Sequence, residues 1–243
     1  MSLAIDAILI VVAFLILLAA VRKGLIRSIM SLLSSVASLI VAYAYTPVLA
    51  PIIRNKYLLD RISANIGETI KGWALDTSSD LYNLDRLVTT PNSDFNAIIE
   101  RYGVSLEQIA SKLRGLVGVG DTEVHIIADD IASPTSNILA NVIAFIGIFV
   151  AAFIVLALLT SILDAIFKLP VLSGINKFFG FVFGLLEAFM VVSVLAIAIS
   201  VLVSALGAIS PSLFGADMVD KTIICKYLAE HNFFLWINNV LGA

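Results

Sequence analysis

Four long apolar runs nearly free of charge restrict this chain to a helical fold that crosses a membrane. They cover residues 3–21, 28–50, 138–163 and 178–206, and contain two acids, Asp6 and Glu187, with no lysine or arginine. A bilayer's hydrocarbon core is about 30 Å thick and takes roughly 20 helical residues, so each run is long enough to span it. Barrel strands would alternate polar and apolar positions over about 10 residues. These runs are continuous, so the spans are helices. The whole chain of 243 residues is 60% hydrophobic and 14% charged, with a mean hydropathy of +1.04. Those values exclude a disordered chain, a secreted disulfide scaffold and an ordinary cytosolic enzyme. A net charge of -3 argues against nucleic acid as a partner. The expected fold class is an all-α membrane protein: four transmembrane helices, with short amphipathic helices in a long external loop and a C-terminal tail.

Charge placement predicts the topology. The first run is no cleaved signal peptide, because its basic residues Arg22, Lys23 and Arg27 follow it instead of preceding it. The turn between the first two spans, residues 22–27, is basic, and the link between the last two carries Lys168 and Lys177 beside Asp164. Basic residues in short loops face the cytoplasm. The expectation is a protein of the bacterial cytoplasmic membrane with both termini, the segment 51–137 and the tail 207–243 outside.

The segment 51–137 has helical periodicity. Ile62, Ile66, Ile70 and Trp73 share one stripe, and Leu81, Leu84 and Val88 suggest another. Asn92 or Ser93 caps a helix stopped at Gly103. Ser105 with Gln108 is a capping-box pattern opening the next helix, which Gly115, Gly118 and Gly120 end. Asp121 or Thr122 starts a helix with Val124, Ile127, Ala128 and Ile131 on one face, closed by Pro134. In the tail, residues 217–230 read as one amphipathic helix, and the aromatic-rich residues 233–237 suit a membrane interface.

No catalytic motif is present: no HExxH, GxSxG, P-loop or GxGxxG. His125 and His231 stand alone in amphipathic helices, Cys225 is the sole cysteine, and Asp129–Asp130 reads as a solvated face. No catalytic residue, metal ligand or cofactor is expected. The expected partners are the lipid bilayer and either further copies of the chain or other membrane proteins.

The spans themselves carry more. Ser28, Ser31, Ser35 and Ser38 lie on one face of the second, where small residues allow close helix approach and hydroxyls bond across an interface. In the fourth, Gly180 and Gly184 form a GxxxG that Ala188 continues. Glu187 shares that packing face. Ten residues after Lys177, it lies roughly 15 Å along the helix. An acid at that depth is either a hydrogen-bonded packing element, with Ser31, Ser35 or Ser38 as partners, or a protonatable site on a polar path. Asp6 stands near the end of its span, within reach of water.

AIDAILIVVAFLILLAAV running into RKGLIR, the second helix ending AYAYTPVLAPII, the later LSGINKFFGFVFGLLEAFMVVSVL and the tail's TIICKYLAEHN together resemble the colicin V production (CvpA) family of bacterial inner-membrane proteins. The most specific pieces are Arg22 to Arg27, and Asn176 and Lys177 with Gly180 and Gly184. The resemblance covers the first fifty-odd residues and the stretch from Ile138 to the tail. It implies a non-enzymatic membrane protein serving bacteriocin production or export, or envelope homeostasis. The alternative is a small oligomeric channel or transporter subunit with Glu187 lining its path; a membrane-embedded enzyme fits least.

Overall fold

The computed structural model describes residues 2–23, 25–76, 81–89, 93–167, 175–215 and 218–231. Among the described residues, four helices are long and apolar enough to cross a membrane. They are α1 (Ser2–Lys23), α2 (Leu25–Ile53), α7 (Asp121–Phe167) and α8 (Ile175–Ile209). Between α2 and α7 come a π-helical turn (Arg54–Leu58), α3 (Leu59–Ala74), β1 (Leu75–Asp76), β2 (Leu81–Asn83), α4 (Arg86–Thr89), α5 (Ser93–Arg101), α6 (Leu106–Leu113) and β3 (Val117–Val119). The short α9 (Ile224–Glu230) follows α8.

The chain divides into two compact units. The first holds the described parts of 1–47, 142–204 and 212–243. Its buried cluster joins Leu9 of α1, Val192 and Ala196 of α8 and Cys225 of α9. The basic turn is tighter than residues 22–27 suggest: α1 runs to Lys23 and α2 starts at Leu25. Lysine and arginine are good helix formers, so the basic residues continue the helices instead of forming a loop. The tail helix is also shorter than expected, since residues 218–221 form a turn and helix begins only at Ile224. The aromatic residues 233–237, Asn92, Asp217 and Lys168 lie outside the described residues, as does the side chain of Asp164.

The second unit, 48–141 with 205–211, has its own core. Ile62, Ile66 and Ile70 of α3, Phe95 and Ile99 of α5, Ile109 and Leu113 of α6, and Val124, Ile127 and Ile131 of α7 are all buried. Trp73 meets Phe95 edge-on, with centroids 6.2 Å apart. The Ser105 capping box forms as its spacing predicts, and Gly103, Gly115 and Gly118 take positive φ at the breaks.

Two sequence readings change here. Leu81 belongs to a strand, not a helical stripe. β2 pairs antiparallel with β1 through Leu75↔Tyr82 and Asp76↔Leu81, and with β3 through Tyr82↔Val119 and Asn83↔Val117. Strands this short carry too little periodicity to separate from a helix. Pro134 does not end a helix, because α7 continues through it for 47 residues, about 70 Å. An interior proline costs roughly 3 kcal/mol. Here Ile131, Ala132, Thr135, Ser136 and Leu139 are all buried around it. The Thr135 hydroxyl also donates to the Tyr102 carbonyl at 3.2 Å. Packing on this scale outweighs the proline penalty.

Candidate functional site

In the first unit, two serines of α2 converge on Glu187 of α8. Its side chain is 3% exposed. One carboxyl oxygen, Oε1, accepts the Ser31 hydroxyl at 2.8 Å and the Ser35 hydroxyl at 3.2 Å. The spacing that places serines on one face of α2 delivers both to the same atom. The other serines of the face bond elsewhere: Ser38 donates to the Ser34 carbonyl one turn back at 2.7 Å, and Ser28 across to the Ala20 carbonyl of α1 at 3.2 Å.

The small residues of α8 explain how an acid fits this seam. Gly180, Gly184 and Ala188 are buried. A side-chain carbon built at Gly184 would collide with Cβ of Ala20, with Leu17 alongside. The partner of this GxxxG is therefore α1 of the same chain. One turn on, α8 presents Glu187 to α2.

Register changes the reading of depth. Ser31 lies four residues after Arg27 in α2, about 6 Å along the axis. Ser35, bonded to the same oxygen, lies eight residues after Arg27, about 12 Å, so Glu187 sits one to two helical turns from Arg27 and ten residues from Lys177 along its own helix.

Beside this lock, α2 and α7 form a cleft of about 180 Å³ lined by Arg27, Ser31, Ser34, Phe153, Thr160 and Ser161. The Ser34 and Thr160 hydroxyls stand 3.4 Å apart. Most of the hydroxyl protons here are engaged: Ser31 on Glu187, Ser34 on the Met30 carbonyl at 2.9 Å, Thr160 on the Leu156 carbonyl at 2.9 Å. The cleft thus presents hydroxyl oxygens as acceptors beside one guanidinium. It reaches Ser31; Glu187 sits one hydrogen bond behind it. Thr160 and Ser161 were not singled out by sequence, because hydroxyls at the end of a long apolar run lack the spacing that marks α2.

The remaining candidates fall into ordinary roles. Asp129 sits 3.4 Å from His125, and Asp130 2.6 Å from Lys112. His231 stacks on Tyr227 with centroids 4.7 Å apart. Among the described residues, no three His, Cys, Asp or Glu side chains come together as a metal site would require. Arg22 and Lys177 are exposed at their helix ends. Asp6 is the exception to its sequence reading: it is 7% exposed, not bathed in water, and its carboxylate takes backbone N–H groups of the tail. Nothing in the spacing of α1 foretells a partner more than 200 residues away.

The family model for the colicin V production protein matches residues 5–80 and 109–242. The match extends further into the middle segment than the resemblance in sequence, leaving 81–108 uncovered. No curated protein and no solved structure matches the chain. The chain belongs to the colicin V production protein family.

Proposed function

We propose that this member of the colicin V production protein family is a non-enzymatic factor of the bacterial cytoplasmic membrane. It supports production or export of a peptide toxin, or the integrity of the envelope through which the toxin leaves. The observation that carries this reading is the family match, which takes in most of all four spans. The closed state of Glu187 agrees with it. A transport pathway would be expected to expose the acid to its cavity, whereas this carboxyl is buried and both serines are turned onto it. Its partners on this reading are the bilayer and other membrane proteins, including further copies of the chain.

Deleting the gene in a toxin-producing bacterium should lower the toxin activity released into the medium, or raise envelope permeability, at unchanged toxin transcript. A plasmid copy should restore the wild-type level. Unchanged release together with an unchanged envelope would sink the reading.

The orientation is tested separately. Cys225 is fully buried and makes a poor surface reporter. Ile223 is 79% exposed, so Ile223→Cys in a Cys225→Ala background supplies a single accessible thiol. A membrane-impermeant maleimide should label it in intact spheroplasts, because positive-inside topology puts the tail outside. Labelling only after permeabilisation would reverse the orientation.

A further inference from the structure

An ionisable side chain in a membrane span needs a partner, and Asp6 finds one at the far end of the chain. Its Oδ2 accepts the Ile223 N–H at 2.8 Å; its Oδ1 accepts those of Ile224 at 3.2 Å and Cys225 at 3.0 Å. These amides open α9, where helix geometry leaves N–H groups without carbonyl partners. A capping side chain ordinarily comes from the residue just before the helix. Ile223, in that position, provides none, and a different helix supplies the cap. Beyond the cap, Ile224 and Leu228 form one wall of an apolar cleft of about 430 Å³. Leu9 and Ala13 of α1 and Ala188 and Val192 of α8 line the rest.

We infer that the tail segment 222–230 is a strap across the α1–α8 cleft and that the Asp6 carboxylate is its latch. With the latch engaged the strap walls one side of the cleft and covers Leu9, Val192 and Ala196; without it the strap lifts and bares them to an apolar chain from the surrounding lipid. A seven-residue helix is too short to hold itself in water. Apolar packing of Cys225, Ile224 and Leu228 seats it, and its polar anchor is concentrated in one side chain, through three charge-assisted bonds. A short element with a single polar anchor can switch between two discrete states, closed and released.

The chain carries its own reporter. Cys225 is the sole cysteine and fully buried beside Leu9, Val192 and Ala196. Burial pushes its thiol pKa up, a hydrogen bond with Thr222 opposes the rise, and the Asp6 charge adds to it. The thiolate is the reactive form, so a closed strap suppresses alkylation by access and by protonation together.

The test is the alkylation rate of Cys225 by membrane-permeant N-ethylmaleimide in native membranes carrying the full chain. The wild type should react slowly. Asp6→Ala should react about tenfold faster or more, since it removes all three acceptor contacts. Asp6→Asn should fall between, because its carbonyl still accepts from Ile224 and Cys225 while its NH2 faces the Ile223 N–H. A folded Asp6→Ala protein that alkylates at the wild-type rate would overturn the latch. A second measurement needs no variant. Amide exchange at Ile223, Ile224 and Cys225 of the wild type should be as slow as in the core of α8. Exchange at the rate of an unprotected chain would overturn the latch whether or not the Asp6 variants fold.

Discussion

Gly184→Leu is expected to disrupt the membrane bundle more than any other single substitution in its spans. Even one added carbon at this position would run into Cβ of Ala20 on α1. A leucine brings three more, and the seam can take them only if α1 and α8 move apart. Overpacking of a close-packed interior costs about 1–3 kcal/mol and occasionally more. With no water to expel, helices in a bilayer associate through the contacts this change destroys. A loss of about 3 kcal/mol corresponds to a fall of roughly 6–12 °C in Tm for a chain of this size, read in mild detergent. Ala188→Leu should be milder, although Ala188 shares the face, because the apolar cleft at Ala188 offers room for the added carbons. Phe183→Leu, half-buried and off the seam, should be milder still. The decisive comparison is a swap. Gly184→Ala should destabilise, and adding Ala20→Gly should restore stability. The pair only exchanges a glycine and an alanine between two helices, so helix propensity largely cancels. A double mutant no better than Gly184→Ala would mean that the α1–α8 contact does not set the stability of the bundle.

The sequence is legible where periodicity is long and the solvent is unambiguous. Continuous apolar runs allow only helices, so the four spans follow directly. The stripe of Ile62, Ile66 and Ile70 and the Ser105–Gln108 capping box survive into the structure because each is a local rule with a local payoff. Strands of two and three residues escape, since so few positions cannot distinguish a period of 2 from one of 3.6. Pro134 misleads for a different reason: its helix-breaking tendency is local, but the packing that overrides it comes from elements distant in sequence. Asp6 shows the limit most clearly. Near a helix end, an acid reads as solvated, and only the fold brings the amides of Ile223, Ile224 and Cys225 to it. Glu187 lies between these cases. The serine face of α2 names its partners, but its depth depends on a register between helices that no single helix records.

That register gives the Glu187 series its expected outcome. Glu187→Gln keeps a side-chain carbonyl where Oε1 now accepts from Ser31 and Ser35, so both hydroxyls remain satisfied. The variant should fold, with thermal stability in detergent close to wild type. Glu187→Leu removes the acceptor. Ser35 retains the Ser31 carbonyl at 3.1 Å, but Ser31 loses the acceptor of its 2.8 Å bond. An unsatisfied buried hydroxyl costs about 1–3 kcal/mol; Ser31 is half-buried beside the cleft, and hydrogen bonds between membrane helices fall toward the lower end of that range. Leu should therefore destabilise by roughly 1–2 kcal/mol. Ser31→Ala combined with Glu187→Leu should recover part of the loss by removing the orphaned donor. Activity separates structure from transport. If the carboxyl is a packing lock, Gln complements a deletion strain and Leu complements poorly, in step with its stability. If the carboxyl carries a proton or a cation, Gln folds normally yet fails to complement, because an amide cannot ionise. A folded, inactive Gln variant would displace the structural role and make the cleft beside Ser31, with its outward-facing hydroxyl oxygens, the entrance to a conducting path.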